Sequence, residues 1–244
     1  QMPLCHSSSN GASSVVVTGG TSAYTYLWST GATTQGITGL TAGSYAVTVT
    51  DAHGCTVSSS VNIPEPSAVA ANASSVDVLC FGEQNGTASV TASGGTPGYS
   101  YIWSNGNSGS TASNLVAGSY TATVTDSHGC TAVVNTAVGQ PADIQFTSTS
   151  TVSTAGANDG TATVGNISGG VSPYTVLWSN GQTGLTATNL AAGSYTATIT
   201  DSKGCTKTAT ISVLEVTGLN SIANNLSFVV YPNPAKAELN VQAQ

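Results

Sequence analysis

Cysteine is the residue type in this chain with the most definite chemistry, and its positions recur. Cys5 and Cys55 stand 50 residues apart, and so do Cys80 and Cys130. Thiols that stand singly at a repeated spacing, rather than in C-x-x-C pairs, point to disulfides and not to zinc. The spacing predicts bridges Cys5–Cys55 and Cys80–Cys130, each stapling one small domain in an oxidising compartment outside the cytoplasm. Cys205 occupies the place of Cys55 and Cys130, but its expected partner position holds Thr154 or Ala155. It therefore reads as an unpaired cysteine, either a buried free thiol or a cross-link to another chain.

Little else could do chemistry. The three histidines are scattered, and the turn position held by His53 and His128 is Lys203 in a third copy, as suits a solvent-facing turn. Calcium is the one ion to weigh: Asp51 and Asp126, near Glu65 and Asp143, could supply oxygen ligands at joints between domains. Each Asp capping its own turn is the simpler account, so no metal and no cofactor are expected. There is no G-x-S-x-G elbow, G-x-G-x-x-G loop or P-loop, and no catalytic residue stands out. The chain reads as non-enzymatic. Asn72, Asn85, Asn166 and Asn225 lie in N-x-S/T sequons, sites of possible sugar attachment.

The elements that carry these residues form an array. GSYAVTVTDAHGC (43–55), GSYTATVTDSHGC (118–130) and GSYTATITDSKGC (193–205) recur at a 75-residue interval, as do Trp28, Trp103 and Trp178. Tyr120, Ala122 and Val124 alternate with threonines, the period-two pattern of a strand with one buried face. Thr-Asp-x-x-Gly-Cys follows, a hairpin signal in which Asp126 caps the turn and Gly129 accepts a positive φ. Upstream, Leu115-x-x-Gly118-x-Tyr120 resembles the tyrosine corner of immunoglobulin-like sandwiches. Tyr99, Tyr101 and Trp103 form an aromatic strand whose alternation fits a sandwich interior better than a sugar-stacking platform. The expected repeat core is Trp28, Tyr45, Trp103, Tyr120, Trp178 and Tyr195.

Six or seven short strands per repeat, with turn signals every eight to twelve residues, predict an all-β fold of three tandem immunoglobulin-like β-sandwiches of about 75 residues. In repeat two the expected strands are Val76 to Leu79, Thr87 to Thr91, Tyr99 to Trp103, Thr111 to Leu115, Tyr120 to Thr125 and Thr131 to Val138. The expected boundaries are 1–64, 65–140 and 141–215, with prolines at 64, 66 and 141 stiffening the joints into a semi-rigid rod. Residues 216–244 are a linker and the start of a further β segment. Only four residues precede Cys5, against the fourteen from Pro66 to Leu79 that precede Cys80, so the first strand of repeat one is expected to be missing. Trimming explains this, or a neighbouring copy donates the strand. The sequence also looks like a mature or trimmed segment of a secreted product, with no signal peptide at its front.

Charged residues make up 5% of the chain, against about 25% in ordinary domains. The net charge of −7, with three lysines and no arginine, removes any basic footprint for nucleic acid or anionic lipid. With few charges to protect strand edges, association between copies into a homopolymer is weakly opposed. No apolar run is long enough to span a bilayer.

The set C…NG/T…GG…YxYxWSNG…LxAGSYTxTVTDxxGC, over about residues 1 to 215, resembles the SprB-type repeat of large surface adhesins of gliding Bacteroidetes. TGLNSI…SFVVYPNPAKAELNV, with Tyr231, Pro232, Asn233 and Pro234, is similar to the opening of the type A sorting domain read by the type IX secretion system. These resemblances imply export by the type IX machinery and display at, or release from, the cell surface for adhesion. The later strands of a sorting domain are absent, and repeat three departs from the family in lacking its first cysteine. Two functions follow: a structural rod of an adhesin or extracellular filament, or a carbohydrate-binding or stalk region of a larger secreted enzyme, with surface polysaccharide as its partner. Buried tryptophans favour the first and an exposed aromatic strip the second.

Overall fold

A computed structural model describes residues 1–216, and every regular element in that range is a β-strand. Strands β1 (Gly11–Ser14), β2 (Thr25–Trp28), β3 (Gly36–Leu40), β4 (Gly43–Thr50) and β5 (Thr56–Ile63) belong to the first repeat. The second contains β6 (Ala70–Val76), β7 (Gly86–Ser93), β8 (Ser100–Trp103), β9 (Thr111–Leu115), β10 (Gly118–Thr125) and β11 (Thr131–Val138). The third contains β12 (Gln145–Ser150), β13 (Ser153–Thr154), β14 (Gly160–Ser168), β15 (Thr175–Trp178), β16 (Thr186–Leu190), β17 (Gly193–Thr200), β18 (Thr206–Val213) and β19 (Glu215–Val216). Among the described residues no helix is long and apolar enough to cross a membrane.

Each repeat is built from two small sheets, ordered β6-β7-β9 and β11-β10-β8 in the second and β12-β14-β16 and β15-β17-β18 in the third, with β13-β19 as an added pair. The first repeat has β2-β4-β5 but only β1-β3 in the other sheet. This is a tandem immunoglobulin-like β-sandwich fold. By internal contacts the chain divides into two compact units. The first is Gln1–Thr147 with Asn166–Val176 and Thr198–Thr208; the second is Ser148–Gly165 and Leu177–Ala197 with the described residues from Ala209 on.

Alternation accounts for the core. On β10, Tyr120, Ala122 and Val124 are buried while Thr121, Thr123 and Thr125 are only half-buried. They meet Trp103, Val90 and Leu115 in one cluster. The matching cluster of the first repeat gathers Trp28, Leu40, Val47, Val49 and Ile63. In the second unit Ala162, Ala187 and Leu190 are buried to 1% exposure or less, with β14 and β16 paired through Ala162 and Ala187.

One strand lies elsewhere than the pattern suggested. The first strand of repeat two is Ala70–Val76, ending where the expected Val76–Leu79 strand begins. Its inward residues include Ala71, Ala73 and Ser75, too small to raise an apolar signal, whereas Val78 drops into the core behind it. The Val78 N–H donates to Gly139 O at 3.1 Å, closing the chain end after β11.

Candidate functional site at the repeat junctions

The hairpin tip after β10 is held by one carboxylate. Asp126 Oδ1 accepts the N–H groups of His128 and Cys130, both at 2.9 Å, and Gly129 takes φ +82 to close the turn. Its other oxygen, Oδ2, accepts the Thr96 N–H at 2.8 Å across 30 residues, which ties the tip to the Gly94-Gly95 bend. Asp51 repeats the arrangement with Thr21, His53 and Cys55, and Asp201 with Val171, Lys203 and Cys205. Asp126 and Asp201 are each 5% exposed. His53, His128 and Lys203 are exposed at the same turn position, and the His53 and His128 Nδ1 atoms lie 2.9 and 2.8 Å from the Thr21 and Thr96 hydroxyls.

These amides set the acidity of the three carboxyls. Asp51 and Asp126 are held below the ordinary Asp value, first by the N–H groups of Thr21 and Thr96 respectively and then by the turn amides. For Asp201 the largest influence is burial, which pushes upward, but the N–H groups of Val171, Cys205 and Lys203 together outweigh it. A carboxyl whose folded pKa is depressed adds stability that is complete above its unfolded value and is lost as pH falls through the folded one. The melting temperature is therefore expected to stay level from pH 7 to about 5 and to fall below about pH 4, near the unfolded Asp value. Asp126→Asn, followed by circular dichroism, is expected to melt lower at pH 7 and to show a shallower acid limb. An unchanged limb would mean the carboxylate does not brace the tip.

The aromatic residues are braced the same way in each repeat. Tyr45, Tyr120 and Tyr195 hydroxyls donate to Thr41, Val116 and Ala191 carbonyls at 3.0, 2.9 and 3.1 Å, the four-residue return of a tyrosine corner. Trp28, Trp103 and Trp178 are 3%, 2% and 1% exposed, and each indole N–H donates to a backbone carbonyl, that of Thr34, Gly109 and Gly184 respectively. The hydroxyls of Tyr24, Tyr99 and Tyr174 close on the carbonyls of Gly19, Gly94 and Gly169.

The cysteines depart from the expected pairing. The bridges are Cys5–Cys130 and Cys80–Cys205, each 125 residues apart in sequence, with Cα atoms 5.6 and 5.5 Å apart. Neither Cys5–Cys55 nor Cys80–Cys130 forms, Cys205 is not free, and the unpaired cysteine is the exposed Cys55. The reason is the length of a strand. Cys80 follows Val78, which is bonded at Gly139 beside the Gly118↔Val138 end of the β10–β11 ladder, whereas Cys130 adjoins the Thr125↔Thr131 end. Eight residues of strand hold those ends about 25 Å apart, and cysteines cannot bridge beyond about 7 Å between Cα atoms. The front cysteine of one repeat instead meets the hairpin tip of the next. There Leu4 O lies 3.4 Å from Cys130 Sγ, and Leu79 O lies 3.5 Å from Cys205 Sγ.

The linker residues close the same junctions. Glu65 Oε1 accepts the Ser7 N–H at 3.0 Å and stands 3.2 Å from His6 Nδ1. Gln140 Oε1 accepts the Gly82 N–H at 3.1 Å in the corresponding place, and Asp143 pairs with Lys207 at 2.7 Å. Asp51, Asp126, Glu65 and Asp143, the acids weighed for calcium, are thus each engaged with N–H groups, an imidazole or an ammonium. Among the described residues no three His, Cys, Asp or Glu side chains cluster in a way that could hold a metal.

Of the sequon asparagines, Asn72 is exposed on β6. Asn85 accepts the Leu79 N–H at 3.0 Å and donates to Glu83, so its amide is engaged. Asn166 is exposed on β14 and donates to Thr147 at 3.2 Å. Asn225 and the Tyr231, Pro232, Asn233, Pro234 run lie outside the described residues. Two features of the junction were missed in the sequence: the long-range Asp126–Thr96 bond and the 125-residue cysteine interval. The second was visible, since that interval occurs twice and leaves no anomaly at Cys205.

The SprB repeat family matches this chain three times, over residues 3–33, 72–108 and 147–183, which supports a SprB-type repeat protein. No curated protein matches the sequence. Among solved structures, the N-terminal eight Ig domains of Down Syndrome Cell Adhesion Molecule are similar at 13% identity and TM-score 0.37, over 79% of this chain and 33% of that one. The amphioxus IgVJ-C2 molecule is similar at 14% identity and TM-score 0.26, over 56% and 99%. Domains 4–9 of surface layer protein SbsC are similar at 18% identity and TM-score 0.25, over 82% and 40%. The chain thus spans about a third of the first of these structures.

Proposed function

We propose that this chain, with its three SprB-type matches, is an extracellular structural protein of the cell surface. It serves as a length of repeat array in an adhesin or filament, and it has no catalytic role. The observation that carries this reading is covalent: successive copies of one module are bridged from front loop to next hairpin tip by Cys5–Cys130 and Cys80–Cys205. A bridge from module to module resists extension and shear of the array, and disulfides of this kind persist only in an oxidising compartment. The three sandwiches of the array are taken as residues 1–64, 65–140 and 141–215, with 216–244 following as the start of a sorting segment.

The carbohydrate-binding alternative draws less support. The tryptophans that would stack on sugar are buried, and the neighbouring residues turned outward are aliphatic: Leu27, Ile102 and Leu177 are 57%, 65% and 53% exposed. What each repeat offers outward is an aliphatic residue at the same position of one strand, suited to contact with surfaces or with other copies. Export by the type IX machinery is part of the proposal and rests on the sorting-type resemblance of residues 217–244. Antibody against the segment is expected to stain intact cells that make the protein, and staining is expected to vanish when residues 217–244 are deleted from the parent gene. The purified chain is expected to run unretarded in affinity gels loaded with polysaccharide. Retardation there, or staining only after cells are opened, would reverse the reading.

A further inference from the structure

The two disulfides are interlaced: in chain order the bonded cysteines run Cys5, Cys80, Cys130, Cys205, and each bridge skips one of them. Cys5 with Cys130 makes one covalent node, and Cys80 with Cys205 makes a second. Three stretches of backbone connect these nodes: 75 residues from Cys5 to Cys80, 50 from Cys80 to Cys130, and 75 from Cys130 to Cys205. Staples inside the repeats, Cys5–Cys55 and Cys80–Cys130, would leave residues 56–79 as a single thread between two modules. With the interlaced pairing no stretch between Cys5 and Cys205 is a sole connection.

Each stretch has exposed backbone where a protease can cut. The turn that follows the buried tryptophan recurs as Ser29–Gly31, Ser104–Gly106 and Ser179–Gly181, exposed in every repeat, and one copy falls in each of the three stretches. In the first linker Glu65, Ser67 and Ala68 are exposed as well. Exposed turns of small and polar residues are the places where folded chains are nicked. We propose that the interlaced bridges make this chain a triply connected tether: Cys5 and Cys205 stay joined until all three stretches have been cut, and under tension the shortest stretch sets the reach. The inference rests on the array reading above and adds how the array keeps its continuity under proteases and pull.

Pull on the two nodes tightens the 50-residue stretch first. It contains β7 to β10, with Trp103, Leu115, Tyr120 and Val124 of the repeat-two core. Cys80 lies beside the Gly118↔Val138 end of the β10–β11 ladder and Cys130 beside the Thr125↔Thr131 end. Load therefore enters repeat two from opposite ends and runs along its strands. Ladder bonds stand across the strands, so load in that direction shears them together instead of opening them one at a time. When repeat two does give way, the span from Cys5 to Cys205 stops at about 170 Å, from 50 residues at about 3.4 Å each. Without the bridges the same 200-residue interval extends to about 680 Å.

Two experiments test this. A recognition sequence for a specific endoprotease is inserted in the turn after Trp28, Trp103 or Trp178, singly, in pairs and in all three. After cleavage and alkylation, denaturing gels without reductant are expected to show one joined species for every single and paired variant. The triple variant is expected to part into two products, one holding Cys5 with Cys130 and the other Cys80 with Cys205. A piece released from any single or paired variant would overturn the proposal. The second experiment needs no insertion: the full chain is stretched from its ends until unfolded, and reductant is then added. Opening either bridge first lengthens the shortest path from 50 to 75 residues, and opening the other lengthens it to 200. The expected record is a small step of about 85 Å followed by a large one of about 425 Å. Two equal steps, the mark of separate staples, would overturn the proposal, and so would no step at all. Either failure with surface staining intact leaves the array reading standing, whereas unequal steps without staining would sink that reading alone.

Discussion

Replacing both Cys80 and Cys205 by serine is expected to destabilise the chain by about 2–4 kcal/mol, while Cys55→Ser changes stability by less than about 0.5 kcal/mol. The bridge spans 125 residues, so opening it releases a long loop in the unfolded chain, where the constraint is greatest. Because the two residues belong to successive repeats, the loss should also uncouple their unfolding, so that one melting transition broadens or splits. Non-reducing peptide maps of the wild-type chain are expected to join the Cys5 peptide to that of Cys130 and the Cys80 peptide to that of Cys205, with Cys55 alone labelled by iodoacetamide. A Cys5–Cys55 peptide would mean that the staples lie inside the repeats after all.

Trp103→Ala is expected to cost about 3–5 kcal/mol and Ile102→Ala less than about 0.5 kcal/mol, although the two residues are neighbours on β8. Trp103 is 2% exposed among Val90, Leu115, Ala122 and Val124, and its indole N–H is satisfied by Gly109 O at 3.0 Å. Truncation leaves a cavity between two sheets that are held apart by their own ladders, and the Gly109 carbonyl loses its indole donor. Ile102 faces solvent at 65% exposure and leaves neither. Urea titration of both variants separates a core from a platform. A mild Trp103→Ala phenotype accompanied by lost polysaccharide retention would restore the binding-module reading.

Much of the fold was legible because its signals are local. Tyr120 reaches back four residues to Val116, and Asp126 reaches forward two and four to His128 and Cys130. Such bonds are prescribed by residue type and short spacing, and the alternation of Tyr120, Ala122 and Val124 reports its own burial. The first strand of repeat two was placed wrongly for the opposite reason. Ala71, Ala73 and Ser75 bury little area each, so the alternation that marks a strand is faint where the filling residues are small.

What the sequence by itself determined is the module: its 75-residue period, the core aromatic positions, the capped hairpin and the all-β class. Only the tertiary structure decided which cysteines meet, because a 50-residue interval counts residues and not direction. The β10 strand carries the chain from one end of the sandwich to the other between Cys80 and Cys130, so a residue close in sequence register is a full strand length away in space. The next module's hairpin tip, 125 residues on, arrives at the front loop because the short linker turns the chain there, where Gln140 fixes Gly82. The same geometry decided that the edges of β7 and β14 are covered by β6 and β12. Occupancy of a strand edge depends on what the chain brings alongside it, and no pattern within the edge strand itself records that.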